Sequence, residues 1–374
     1  MSNISKDLTE LLNIKMYYLF LLLNIASASQ IQTLDYNEPS ISALFFSIDS
    51  ICNIRNDYQQ NTNLLISDLT KYFSICSRGK ITLSQQSLMV KGINIPCTSN
   101  SSNACGVNDL LAWAEFSKEY AVHNQINLNN YKHFILLLPQ MPFCNWGGLA
   151  TLAPCIPSCY VWINGNTINK QSAFLHEIGH NFGLYHAATY GNDYGDTSCA
   201  MGAYASNRCY NVMSQARMNW NYPIQIIQLN PNQMTSVIIP SSLSSEFNYI
   251  SLTLNSSDSL LISFRTGNIG FDANLYSMYI NRLSIHHVRG LNAIRAYLVY
   301  VLPVQSTWNG QAYFDGLSVT FTNYKTEMSY VDISTGIVPS IPSIPCGDHV
   351  CHITELNACL IDCPFSSTYL TYCF

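Results

Sequence analysis

Residues 174–187 read FLHEIGHNFGLYHA, and no other stretch of this 374-residue chain restricts its fold so tightly. His176 and His180 stand four apart, so on an α-helix both imidazoles leave one face, close enough to grip a single metal ion. Phe174, Leu175 and Ile178 supply the buried side of that helix, and Asn166 or Thr167 offers an N-cap ahead of it. Gly183 follows His180 by three positions and is free to take positive φ, which ends the helix and turns the chain back. His186 then returns as a third ligand. Three neutral imidazoles and a water are the donor set of a catalytic Zn²⁺ with one exchangeable position. Glu177, beside the first ligand, is placed to hydrogen-bond that water instead of entering the coordination shell. An HExxH string alone is often ordinary helix; the added glycine and third histidine make this one specific.

Fourteen cysteines, an even number as complete pairing requires, point to an oxidising compartment. The amino terminus agrees. Lys15 precedes the apolar run 16–25, and Ala26-Ser27-Ala28 has the small residues of a signal-peptide cleavage site, so residues 1–28 are expected to be removed and the product secreted. Asp7 and Glu10 dilute the positive charge ahead of the run, and the alternative is a retained membrane anchor. The run is shorter than the ~20 apolar residues that span a bilayer, so no stable membrane insertion is expected. Asn100 and Asn255 open glycosylation triplets. Charged residues make up only 10% of the chain and the net charge of -5 is spread without blocks, which leaves no basic stripe for nucleic acid.

Hydropathy divides the chain. Runs at 42–49, 80–83 and 133–138 read as strands, and 63–73 and 107–122 as amphipathic helices, the second burying Leu110, Leu111, Trp113, Ala114 and Phe116. Helices alternating with strands argue for an α/β layer up to about residue 180. Beyond Pro223 come short β-rich runs at 225–229, 234–239, 249–254, 260–265, 282–287, 294–301 and 318–322, a series suited to an all-β sandwich. Residues 336–345 carry proline at every third position, an extended spacer before a tail holding Cys346, Cys351, Cys359, Cys363 and Cys373. The expected division is therefore a leader to 28, a catalytic unit at 29–224, a β unit at 225–335 and a disulfide-rich tail at 336–374.

The HExxHxxGxxH pattern is the zinc-binding motif of the metzincin metallopeptidases. Together with NWGGLA at 145–150, YVWING at 160–165, YGDTSCAMG at 194–202 and residues 209–220, it resembles the gametolysin family of extracellular metzincins. The likeness continues through SFRTGNIGFDAN at 263–274 and residues 281–287, so it covers about residues 40–300. It implies an α+β fold: a metzincin-like mixed twisted sheet with an active-site helix, then a sandwich-like β domain and the Cys-rich tail. It also implies a zinc endopeptidase acting on extracellular protein substrates, matrix or cell-wall glycoproteins, with Glu177 as general base. Met201, fifteen residues past His186, is the candidate for the family's methionine turn beneath the metal, and Met213 competes with it as core filler. Tyr204 is a candidate transition-state hydrogen-bond donor, with an ordinary surface or core tyrosine as the alternative. By the same analogy, an edge strand at 148–152, with 160–163 behind it, receives extended substrate.

Other features are weighed against plainer roles. Cys105-Gly106-Val107 is similar to a cysteine switch, but a disulfide, with Cys97 the candidate partner, is the preferred reading. Asp193 and Asp196 suit a Ca²⁺ loop only weakly, since two acids among glycines are more often a solvated turn. His286 and His287 lie in a strand, where adjacent side chains face opposite ways and cannot readily share an ion. His349 and His352 stand among tail cysteines that an oxidising compartment would pair. The competing functional class is an extracellular binding or adhesion protein whose zinc is structural, with no proteolysis.

Overall fold

The computed structural model describes residues 40–56, 62–98, 104–203, 207–290 and 293–335. The leader at 1–28, Asn100, Tyr204 and the cysteine-bearing tail lie outside the described residues.

The first half runs β1 (Ala43–Ile51), α1 (Thr62–Cys76), β2 (Leu88–Ile95), α2 (Val107–His123), β3 (His133–Leu137), β4 (Gly148–Ala150), β5 (Cys159–Ile163) and α3 (Gln171–Asn181). Its main sheet has the order β2-β1-β3-β5-β4; the first four strands are parallel and β4 is antiparallel at the edge. Parallel strands buried on both faces must be apolar throughout, which is why HFILL of β3 is entirely buried. Strand alternation then sorts the core. Phe45, Ile135, Leu137, Val161 and Ile163 pack under α1 and α3, while Leu44, Phe46, Phe134, Leu136 and Trp162 pack under α2.

Several details differ from the sequence reading. Helix α2 buries Leu110, Trp113, Ala114, Ser117 and Ala121, whereas Leu111 points outward at 47% exposure, because the contact stripe follows the i, i+3, i+4, i+7 line. Helix α3 begins at Gln171 with Lys170 at its N-cap, not Asn166 or Thr167. Those two residues form a 3-10 turn, and the Thr167 hydroxyl donates instead to the carbonyls of Gly147 and Asn164. Cys105 pairs with Cys144, pinning the start of α2 to the loop after β3, because Cys97 is already bonded to Cys52. Cys76–Cys209 and Cys155–Cys159 complete the disulfides among the described residues. Cys199 departs from complete pairing: it is a free, fully buried thiol whose Sγ accepts the N–H groups of Met201 and Asn211.

A short helix α4 (Val212–Arg217) leads into the second half: β6 (Tyr222–Gln228), β7 (Met234–Pro240), β8 (Phe247–Thr253), β9 (Asp258–Arg265), β10 (Arg282–Arg289), β11 (Ala296–Leu302), β12 (Ser306–Asn309), β13 (Ser318–Lys325) and β14 (Met328–Ser334). Two sheets, of order β11-β10-β9-β8-β6 and β7-β14-β13-β12, share one core of Ile250, Leu252, Ile262, Phe264 and Ile285 against Val237, Val319, Phe321 and Val331. No helix among the described residues is long and apolar enough to cross a membrane.

Candidate metal centre

Helix α3 delivers His176 and His180, and its C-terminus sets the third histidine. Gly183 has φ of 82°, its N–H reaches the His180 carbonyl at 2.8 Å, and the Leu184 N–H reaches Gly179 at 3.0 Å. This pair of bonds is a Schellman ending, which needs the left-handed residue glycine supplies. The chain reverses, and His186 returns to the helix face. One ligand nitrogen from each of His176, His180 and His186 lies within 4.8 Å of the others.

The rings are oriented by backbone. His180 Nδ1 meets the Leu184 carbonyl at 2.8 Å and His176 Nδ1 meets the Ala200 carbonyl at 3.1 Å. A carbonyl only accepts, so each Nδ1 carries the proton and each Nε2 presents its lone pair to the common centre. Burial, with the charges of His180 and His186 adding, pushes the His176 imidazole down to about 3. Burial and His180 hold His186 at about 4, and burial lowers His180 as well. Neutral imidazole is the ligating form, so the donor set fits a borderline-soft divalent ion of the zinc type.

Glu177 is only 2% exposed. Its side chain lies against Gly148 of the edge strand β4: a Cβ built on Gly148 would fall 2.7 Å from both Cγ and Oε1 of Glu177. The glycine therefore makes room for the carboxylate. Under the helix, Met201 is fully buried, and a Cβ on Gly179 would land well inside contact distance of its Sδ. Met213 belongs to a separate cluster with Val212, Ala216 and Tyr249.

The loop between His186 and Met201 supplies a residue that the sequence did not single out. The Tyr194 ring lies 4.0 Å from the His186 ring and 5.9 Å from that of His176, and it remains 42% exposed. Burial raises its phenol pKa, and the nearby Glu177 and Asp193 charges add to the rise. The only sequence signal was its place at the head of YGDTSCAMG.

The two loop acids do not form a calcium site. Asp196 is fully buried, and its carboxylate accepts from Ser198, Asn211 at 2.8 Å and His286 at 3.0 Å, while Asp193 pairs with Arg295 at 3.0 Å. His286 and His287 face opposite ways: the first meets Asp196, the second the Tyr190 hydroxyl.

Comparison with known proteins gives the family. The family model described as gametolysin peptidase M11 matches residues 48–300. An autolysin of Chlamydomonas reinhardtii is 24% identical over 143 residues, covering 33% of this chain; the chain spans only 22% of that relative's length. Among solved structures, metalloproteinase-II from Bacteroides fragilis aligns over 50% of this chain and 55% of its own, at 14% identity and a TM-score of 0.33, too shallow a superposition to carry an argument. With the family match spanning the zinc-type histidines, the edge strand and most of the first β sheet, the chain belongs to the gametolysin peptidase M11 family.

Proposed function

We propose that this chain is a secreted zinc-dependent endopeptidase that hydrolyses peptide bonds in extracellular matrix or cell-wall glycoproteins. The observation that carries the reading is the convergence of three neutral imidazoles, two of them oriented through Nδ1, beside a buried carboxylate. Zinc bound there supplies a Lewis acid for a peptide carbonyl and lowers the pKa of water.

The chain's own residues do the rest. His176, His180 and His186 hold the ion, and the Ala200 and Leu184 carbonyls keep two of those rings from rotating. Glu177 accepts the proton of the attacking water and returns it to the departing amine nitrogen. Substrate backbone adds to the edge of β4 away from β5, its one strand partner among the described residues. Met201 fixes the floor beneath α3. Tyr194 walls the site on the His186 side.

Replacing Glu177 by Ala tests the reading. Cleavage of gelatin or casein should be abolished while zinc stays near one equivalent per chain, since no ligand is removed. Unchanged cleavage would take Glu177 out of the mechanism.

A further inference from the structure

Next to the histidine site is a cleft of about 530 Å³ between the loop after His186 and the end of the β10–β11 hairpin. Tyr190, Asp193, Arg289, Arg295 and Tyr297 form most of its lining. We propose that it is a substrate subsite for an anionic side chain, an aspartate or glutamate of the peptide flanking the bond to be cut; the proposal rests on the endopeptidase reading above.

The cleft is built, not incidental. Thr189 and Asn192 exchange backbone hydrogen bonds at 2.9 and 3.2 Å around Gly191, and the Leu298 N–H bonds the Ala188 carbonyl at 2.9 Å, tying the turn to β11. Tyr190 stacks on Tyr297 with centroids 4.8 Å apart and planes 7° from parallel, and its hydroxyl meets His287. Arg295 lies 5.2 Å over the Tyr297 ring and 3.0 Å from Asp193.

Charge decides the ligand. Among the lining residues two guanidinium groups face one carboxylate, a positive excess in a chain that is net negative overall; Asp258, opposite Arg289 across the strand pair, is outside the lining and accepts from the Gly290 N–H and the Ser257 hydroxyl. Asp193 uses part of Arg295, whose five N–H donors are not exhausted by one partner. Arg289, exposed at the end of β10, makes no ion pair or side-chain hydrogen bond among the described residues. A planar fork of donors beside an aromatic wall suits a carboxylate bonded through both oxygens.

Position decides the role. Asp193 lines the cleft, and the next residue, Tyr194, packs its ring on His186. A peptide laid along β4 and across the histidines would therefore bring a flanking side chain to the cleft mouth.

The test uses the zinc-loaded full-length protein and matched peptides carrying Glu, Gln or Lys at each position flanking one scissile bond. Binding is measured by fluorescence anisotropy and kcat/KM by cleavage. At one position Glu should exceed Gln by about tenfold in both readouts, the scale of a charge-assisted pair. Arg289→Ala should bring the ratio near parity, and Arg289→Glu should favour Lys. Equal binding of Glu and Gln peptides, or a Glu preference that survives Arg289→Glu, would overturn the subsite. Cleavage of the Gln peptide by the unaltered protein reports on the peptidase reading separately, and the binding ratio stands whatever that cleavage shows.

Discussion

Substituting Gly148 by Ala probes the contact on which the proposed proton transfer depends. No positive φ is recorded at this glycine, so alanine meets no backbone obstacle there. The obstacle is Glu177, whose Cγ and Oε1 would each lie 2.7 Å from the new methyl. Carbon atoms in comfortable contact stand about 3.5–4.0 Å apart, so the carboxylate or the strand must shift by roughly 1 Å. A displacement of that size at a reacting group costs on the order of 10²-fold in rate, about 2.7 kcal/mol of barrier. The loss should stay below that of Glu177→Ala, since general-base catalysis spans about 10²–10⁴-fold. The assay is kcat and KM on a fluorogenic peptide, with zinc content and Tm measured on the same preparations. Zinc should remain near one equivalent, because the atoms the methyl meets first all belong to Glu177. Gly147→Ala is the control: its methyl would meet Thr167 Cγ2 at 2.7 Å, so it should lower Tm while leaving kcat within a few-fold. A kcat for Gly148→Ala equal to that of the unaltered protein would refute the claim that β4 positions the base.

Gly179→Ala should reverse the usual helix rule. Alanine inside a helix normally gains about 1 kcal/mol over glycine, but here the methyl collides with Met201 Sδ, so a net loss of about 1–3 kcal/mol is expected in denaturant melts. Gly179→Ala combined with Met201→Ala should recover much of it, and strict additivity of the two would show that the side chains do not touch. Asp196 gives a pH signature. Burial would raise its pKa, yet hydrogen bonds from His286, Asn211 and Ser198 hold it at about 2, below the ordinary 3.8. Its folded-state pKa is depressed, so its stabilisation is complete above about pH 4 and is lost as pH falls toward 2. The amount is on the order of 2 kcal/mol. Urea midpoints across that window should show the slope, and Asp196→Asn should flatten it; an unchanged slope would assign it to other carboxylates.

Whatever is periodic or closely spaced was legible before folding. The helix carrying His176 and His180, the reversal at Gly183 and the buried run of β3 are all local consequences of spacing, and the structure has them where the residues put them. Strand β2 was not legible, because Lys91 and Gly92 interrupt its alternation; Gly92 takes φ of 82°, while Val90, Ile93 and Ile95 still reach the core. Strands β12 and β14 were missed in the same way, being half-polar edge or near-edge segments. The Cys105–Cys144 bond and the Gly148–Glu177 contact join residues far apart in sequence, which no local pattern encodes. Tyr194 sits in an irregular loop where neither a helical nor a strand period applies, so only distance to His186 could single it out.

The irregular loop also explains why the β half accompanies the histidine site. Between His186 and Met201 the chain has no helix or long strand, yet it carries the third of the converging histidines, the Tyr194 ring against it and the methionine packed under Gly179. Such a segment is costly to order unless its polar groups are bonded from outside. The second half supplies those bonds. From β9, fully buried Arg265 donates Nε to Asp272 at 2.9 Å and Nη1 to the Ser198 carbonyl at 2.5 Å. From β10, His286 meets Asp196 at 3.0 Å; Tyr279 meets the Thr197 hydroxyl at 2.9 Å; and β11 takes the Ala188 carbonyl. Arg265 and Asp272, paired with each other within SFRTGNIGFDAN, thus brace this loop from the β half. His186, the proposed third ligand, is held in a loop braced by side chains about 80–100 positions downstream, so the two halves support one site even though only the first carries the three converging histidines.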